Sequence, residues 1–262
     1  MQIFLTSINN FFKLFFLSNK QKNFINHNNE ILRANKVNDS GKKIILIELN
    51  ELVTNTIAFS YFAFCTSKKY NAKLVAFFPR IPRSFFKRLI WRLKNTLGSP
   101  GYNIFKSFGV NSLIIPSISK YILEESNRLV NEQLLKINSK DDIEGITING
   151  VLFGDLIYDY YLNYYKLPSI DFKSKNFKFH LKYCIQNILY WNKFFAENDV
   201  AAINVSHTVY TNAIPLRIAI KHSVNCFQCN ESHVYRLTHE NIFAYKDFVN
   251  YKKLFSNLED KE

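Results

Sequence analysis

The chain is predicted to be an α/β protein built on a mainly parallel sheet with helices on both faces. Three observations predict it. Residues 43–49 (KIILIEL) and 72–78 (AKLVAFF) are almost wholly apolar runs of strand length, as expected for strands buried on both faces. Such runs alternate with longer stretches of helical character, the pattern of βαβ units whose right-handed crossovers put helices on both sides of the sheet. Residues 199–229 read as strand, polar turn, helix and strand, and that turn is the kind of place where open α/β sheets bind ligands.

Residues 1–41 stand apart. Ile3, Leu5, Phe11, Phe12, Leu14, Phe15, Phe16 and Leu17 form a short aromatic helix candidate, and Lys13, Lys20, Lys22, Arg33 and Lys36 add positive charge. Residues 26–41 are mostly polar and are expected to be irregular. An amphipathic basic-aromatic helix of this kind lies in a membrane interface or packs on the flank of its own domain.

The first strand, at 43–49, leads into a helix that Asn50 and Glu51 open and that runs to about 68. The second strand ends at Pro79 and Pro82, and a helix follows at 84–97. A third strand is expected at 110–115. The helix at 119–137 has Ser119 as its cap and Tyr121, Ile122, Leu129, Val130 and Leu134 along its apolar side. A polar linker at 140–144, a short strand at 146–148 and helices at about 155–165 and 176–197 complete the approach to the strand–turn–helix–strand unit. The boundaries are therefore an N-terminal extension at 1–41, a Rossmann-like α/β domain at 42–240 with a helical insert at about 149–198, and a polar tail at 241–262.

Composition bounds the function more loosely. A chain of 262 residues with 47% hydrophobic content can build a substantial core. The formal net charge of +13 fits an anionic partner such as nucleic acid, an anionic membrane or a phosphorylated ligand. Abundant Lys, Asn, Ile, Phe and Tyr also fit the codon bias of an AT-rich genome. Four scattered cysteines do not make a disulfide scaffold and fit a reducing compartment. No secretory signal and no apolar run of spanning length is evident, so a cytoplasmic protein is expected, with peripheral attachment to a membrane open to it.

Several segments carry candidate chemistry. At the end of the first strand stand Glu48, Leu49, Asn50 and Glu51; an acid there serves as a base or binds a hydroxyl, or simply complements the helix dipole. Glycine-rich dinucleotide and P-loop motifs are absent, which argues against Rossmann oxidoreductases and P-loop kinases. Residues 80–94 hold Arg80, Arg83, Lys87, Arg88, Arg92 and Lys94 with no acid and with Phe85, Phe86, Leu89, Ile90 and Trp91 interleaved. AT bias does not explain four arginines in one stretch, so phosphate, lipid headgroups or RNA are candidate partners. Gly150 and Gly154 permit a tight loop before a helix in which Asp155 is a cap or, with Asp159, a hydroxyl ligand.

The turn at 205–213 presents Ser206, His207, Tyr210 and Asn212, and the helix beyond it carries Arg217. His207 is read as a general base or, when charged, a phosphate ligand, with helix capping as the plain alternative. Arg217, Arg236 and His233 are read as substrate contacts, the arginines meeting phosphate or carboxylate. Cys226 and Cys229 with His233 and His239 have the right residue types for zinc but the wrong spacing, so no metal is expected.

Gly150-x-x-Phe-Gly-Asp155-Leu-Ile-Tyr-Asp159, Ser206-His207-x-x-Tyr210, Ile214-Pro215-x-Arg217-Ile-Ala219 and His233-x-Tyr235-Arg236-Leu237 resemble segments of bacterial capsule and surface-polysaccharide biosynthesis proteins of the GT-B glycosyltransferase type. The resemblance covers roughly 42–240. It implies one half of a GT-B fold and transfer of a sugar from a nucleotide-sugar donor to a lipid-linked or oligosaccharide acceptor at the inner membrane. On this reading His207, Asp155 or Glu51 is the catalytic base, and Asn50, Asp159, Ser206, Tyr210, Arg217, His233 and Arg236 are the substrate contacts. GT-B enzymes steady the leaving diphosphate with protein groups, so neither cofactor nor metal is implied, the donor being a substrate. The pattern departs from the family in having one such domain, and it leaves open an acceptor-side domain, a truncated gene or part of a split enzyme with a second half as partner. The competing reading is a non-catalytic membrane-surface or partner-binding domain; no specific nucleic-acid module is recognised.

Overall fold

The computed structural model describes residues 17–33, 43–49, 53–84, 86, 89–93, 100–110, 112–230 and 232–243. Strands β1 (Ile44–Glu48), β2 (Lys73–Phe77), β3 (Ser112–Ile114), β6 (Val200–Asn204), β7 (Asn225–Cys229) and β8 (Val234–Leu237) form one sheet in the order β3-β2-β1-β6-β7-β8. The first five run parallel, and β8 returns antiparallel on the edge. The chain thus winds outward from β1 in one direction, then returns to the other side of β1 with β6. The point where the winding reverses lies between β1 and β6, and it is there that an open sheet of this type leaves a crevice at the carboxyl ends of its strands.

Two apolar layers hold the sheet. Period-two alternation sends Ile45 and Ile47 to one face and Leu46 to the other. The first face packs Phe59 of α2 (Val53–Tyr70) and Phe105 of α3 (Pro100–Ser107). The second carries the larger core, including α4 (Lys120–Leu134), α6 (Gly154–Tyr165), α7 (Lys175–Glu197) and α8 (Ile214–Lys221). Its central contact is Phe77 of β2 edge-on to Trp191 of α7 at 5.2 Å between ring centres. Both rings are wholly buried, and each such side chain stabilises the fold by about 1.5–3 kcal/mol.

The segment between β3 and β6 is shaped by local rules. Ser119 caps α4 through the Ile122 N–H. Ser139 and Asp142 form a reciprocal capping box that makes residues 140–144, expected as a linker, the short helix α5 (Lys140–Glu144). Asn149 and Gly150 both have positive φ, 52° and 77°, the geometry of a two-residue hairpin turn, and they join β4 (Thr147–Ile148) to β5 (Val151–Leu152). A single strand was expected there. At Gly154 a Cβ would lie 2.1 Å from the Ile143 carbonyl oxygen, so the start of α6 sits directly on α5 and excludes any side chain.

The expected irregular run from 26 is corrected in part. Residues 26–33 belong to α1 (Asn19–Arg33), whose Asn28 is buried and donates to Ser107 Oγ at 3.1 Å, while Phe24 meets Phe108. The aromatic helix expected at 3–17 falls almost entirely outside the described residues, as do the polar tail from 244 onward and half of the helix predicted at 84–97, of which residues 89–93 are helical. No helix among the described residues is long and apolar enough to cross a membrane.

Candidate functional site

Glu48 ends β1 at the point where the sheet reverses. Its position follows from the strand itself: the apolar run 44–47 buries it, and the carboxyl group arrives at the sheet's carboxyl edge only 3% exposed. Burial without partners would be costly. The end of β6 supplies them, the Ser206 N–H donating to Glu48 Oε2 at 2.7 Å and the Ser206 hydroxyl to Oε1. Burial pushes the Glu48 carboxyl above its usual range; the Ser206 hydrogen bonds, then the nearby positive charges of His207 and Arg80, pull it back part of the way. Ser206 is itself fixed by β7, because Gln228 Nε2 donates to its carbonyl oxygen at 2.7 Å.

His207 follows Ser206 and is exposed at the mouth of this arrangement. A buried carboxyl below and an accessible imidazole above are the components of an acid–base pair. Further in, Asn204 accepts from the Cys229 thiol at 3.4 Å. Asn204 Nδ2, Thr211 Oγ1 and Gln228 Oε1 are buried without a hydrogen-bond partner among the described residues. Unpaired buried polar atoms are rare, and here two of them, on Asn204 and Gln228, sit at the carboxyl ends of β6 and β7.

The chain then makes a 3-10 turn, Tyr210–Ala213, before α8. Tyr210 has φ of 56°, a left-handed backbone that costs an aromatic residue of order 1 kcal/mol, and it packs half-buried on the larger core. Pro215 sits in the first turn of α8, where its missing N–H is harmless.

The structure separates the sequence candidates into groups. Ser206 and His207 stand at the switch point, and Tyr210, a few residues on, packs on the larger core. Arg217 and Asp155 meet each other elsewhere: Arg217 Nη1 donates to Asp155 Oδ1 at 2.6 Å and to the Leu152 carbonyl at 2.7 Å, and Nη2 bonds Asp155 Oδ2. This pair braces α8 against β5 and α6, so both charges already have partners. Asp159, one turn along α6, is exposed, and its carboxyl is raised by partial burial and by the negative charges of Asp155 and Glu144. His233 and Arg236 are exposed at the β8 edge, the His233 ring lying over Tyr235 at 5.9 Å. Asn50 and Glu51 lie outside the described residues.

Cys226 and Cys229 are three residues apart on β7 and therefore face opposite cores. That geometry cannot bring both thiols to one metal ion. Burial pushes both thiols up, Cys229 to about 12.

Sequence reasoning named Glu48 within the strand-end cluster but singled out Glu51, which lies outside the described residues. The available signal for Glu48 was its place as the last residue of a doubly buried strand. Asn204 and Gln228 had no signal beyond being polar residues inside strand-like runs. No protein-family model, no curated protein and no solved structure matches this chain.

Proposed function

We propose that this chain is a glycosyltransferase-like protein of bacterial surface-polysaccharide synthesis, with the β1–β6 crevice as the place where an acceptor hydroxyl is activated. The observation that carries the reading is the buried Glu48, gripped by Ser206, immediately beside exposed His207 at the switch point. In the reaction, His207 takes the proton of an acceptor O–H as the oxygen attacks the anomeric carbon of a nucleotide-sugar. The bond from that carbon to the diphosphate oxygen breaks, and the diphosphate leaves with the electron pair. Glu48 steadies the imidazolium so formed. A GT-B architecture, with a second half completing the donor side, belongs to this proposal.

The test is a transfer assay with a panel of nucleotide-sugars and lipid-linked or oligosaccharide acceptors. Transfer by the chain, alone or with a separately encoded partner half, and its loss in His207→Ala with the fold intact, supports the proposal. Full activity in His207→Ala removes that residue from the mechanism.

A second reading is attachment to an anionic membrane surface without catalysis. Exposed Leu89, Ile90 and Leu93 in the helical segment 89–93 favour it. Co-sedimentation with anionic vesicles, together with silence in the transfer assay, would favour this reading over the first.

A further inference from the structure

The loop after β2 carries Arg80 and Arg83 over α6 and α7, and it is firmly held. Trp191 Nε1 donates to the Pro79 carbonyl at 2.8 Å, Tyr183 Oη to the Ile81 carbonyl at 2.9 Å, and the Ile81 N–H to Asn187 Oδ1 at 2.7 Å. The arginines therefore project from a backbone with little freedom to move. Arg83 lies on aromatic faces, its guanidinium carbon 3.9 Å from the Tyr164 ring centre and 4.2 Å from that of Tyr183. Its Nη2 meets His180 Nδ1 at 3.4 Å, while His180 Nε2 faces the Ile157 carbonyl oxygen at 3.1 Å. The ring thus donates through Nε2 and accepts through Nδ1, as a neutral histidine does. Arg80 Nη1 donates to the Tyr160 hydroxyl at 3.2 Å.

Arg80, Arg83, Tyr160, Tyr164 and Tyr183, with Lys166, line a cavity of about 300 Å³. Among the described residues, the cavity's three cations have no carboxylate in ion-pair contact, whereas Arg128 pairs with Glu125 and Glu132, and Arg217 with Asp155. A guanidinium held over tyrosine rings keeps its charge and its remaining N–H groups for an anion, and a planar guanidinium grips phosphate oxygens in a fork. Three cations around one small cavity suit a multiply charged anion such as a diphosphate. The positive charge of Arg80 also acts on the Glu48 carboxyl, lowering it slightly.

We propose that this pocket is a phosphate site, in which Arg80, Arg83 and Lys166 hold the phosphate or diphosphate group of a small polar ligand against a wall of tyrosines. The site deepens the sugar-transfer reading and rests on it for the identity of the larger ligand. Binding of the phosphate group alone is measured without any sugar, so either idea can fail while the other stands.

The experiment is calorimetric titration of inorganic pyrophosphate into the full chain and into Arg80→Gln, Lys166→Gln and, as a control, Lys193→Gln. Arg83 is left unchanged because its stack is part of the packing. The expected result is saturable binding that weakens about tenfold in each of the first two variants, the value of one charge-assisted contact, and is unchanged in the control. Melting curves verify that each variant is folded. Absence of binding at millimolar pyrophosphate, or equal affinity in all four proteins, overturns the proposal. Vesicles of phosphatidylcholine with phosphatidic acid then identify the source of the group. Vesicle binding displaced by pyrophosphate and weakened in Arg80→Gln supports the site with a lipid headgroup as its ligand; pyrophosphate binding without vesicle binding supports it with a soluble ester.

Discussion

The Ser206 backbone N–H donates to Glu48 Oε2 at 2.7 Å while the Ser206 hydroxyl bonds the other carboxyl oxygen, so the end of β6 grips the end of β1 at both oxygens. This contact ties the carboxyl ends of the two strands together where the winding of the sheet reverses. Ser206→Ala removes one bond and leaves Oε1 buried without its donor. The expected cost is about 1–3 kcal/mol in denaturant unfolding, with the Glu48 carboxyl driven further up. A neutral effect would show that water reaches Oε1.

Glu48 also sets a pH dependence. Its folded pKa is raised above the ordinary 4.5, mainly by burial. The folded state therefore holds this proton more tightly than the unfolded chain. Its contribution to stability is fully present below 4.5 and is lost as pH rises through the folded pKa. Glu48→Gln keeps an acceptor for the Ser206 N–H and cannot ionise. The variant should gain stability relative to the parent as pH is raised from 4 to 8, measured by urea unfolding at each pH. A gap that stays constant with pH would mean Glu48 titrates normally.

His180 slopes the other way. Burial first, and the charge of Arg83 second, push its pKa down to about 3. The folded ring stays neutral while the unfolded one takes up a proton below the ordinary 6.5. Its contribution is complete above 6.5 and is lost as pH falls toward 3, with a limiting slope of about 1.4 kcal/mol per pH unit for one proton. Proton NMR of the ring C–H resonances should show one histidine that does not titrate between pH 7.5 and 4.5. Titration of all six histidines in that range would contradict the buried, Arg83-facing placement.

Local patterns in the sequence predict the sheet well and the site in part. The runs at 43–49 and 72–78 have no polar face, which announces central strands, and Ser119 before an amphipathic stretch announces a capped helix. β8 was missed because Val234–Leu237 is short, sits on the edge and exposes three of its four residues at least partly, so no apolar run marks it. The hairpin at Asn149 and Gly150 was legible and overlooked: Asn-Gly between apolar pairs is a strong turn signal. The pairing of Glu48 with Ser206 shows what periodicity cannot do. Periodicity says that a strand ends near an acid, but which carboxylate meets Ser206 depends on a pairing across 158 residues. The same holds for Arg80 and Arg83, whose tyrosine partners lie 77 to 100 positions further along.

Asp155 and Arg217, candidates for chemistry in the sequence, are tied to each other, and their unequal burial makes the pair's role measurable. Arg217 is 6% exposed and Asp155 37%. Removing the carboxylate charge strands a cation in the interior, whereas removing the cation leaves an acid that water can reach. Asp155→Asn should therefore cost more, about 3 kcal/mol, than Arg217→Met, whose long apolar side chain fills much of the same space. Both variants should leave the Glu48–Ser206 contact in place, as seen in unchanged pH dependence from Glu48. If Arg217→Met proves the more damaging, the guanidinium holds α8 to β5 chiefly through the Leu152 carbonyl, and the carboxylate of Asp155 is free to serve a ligand after all.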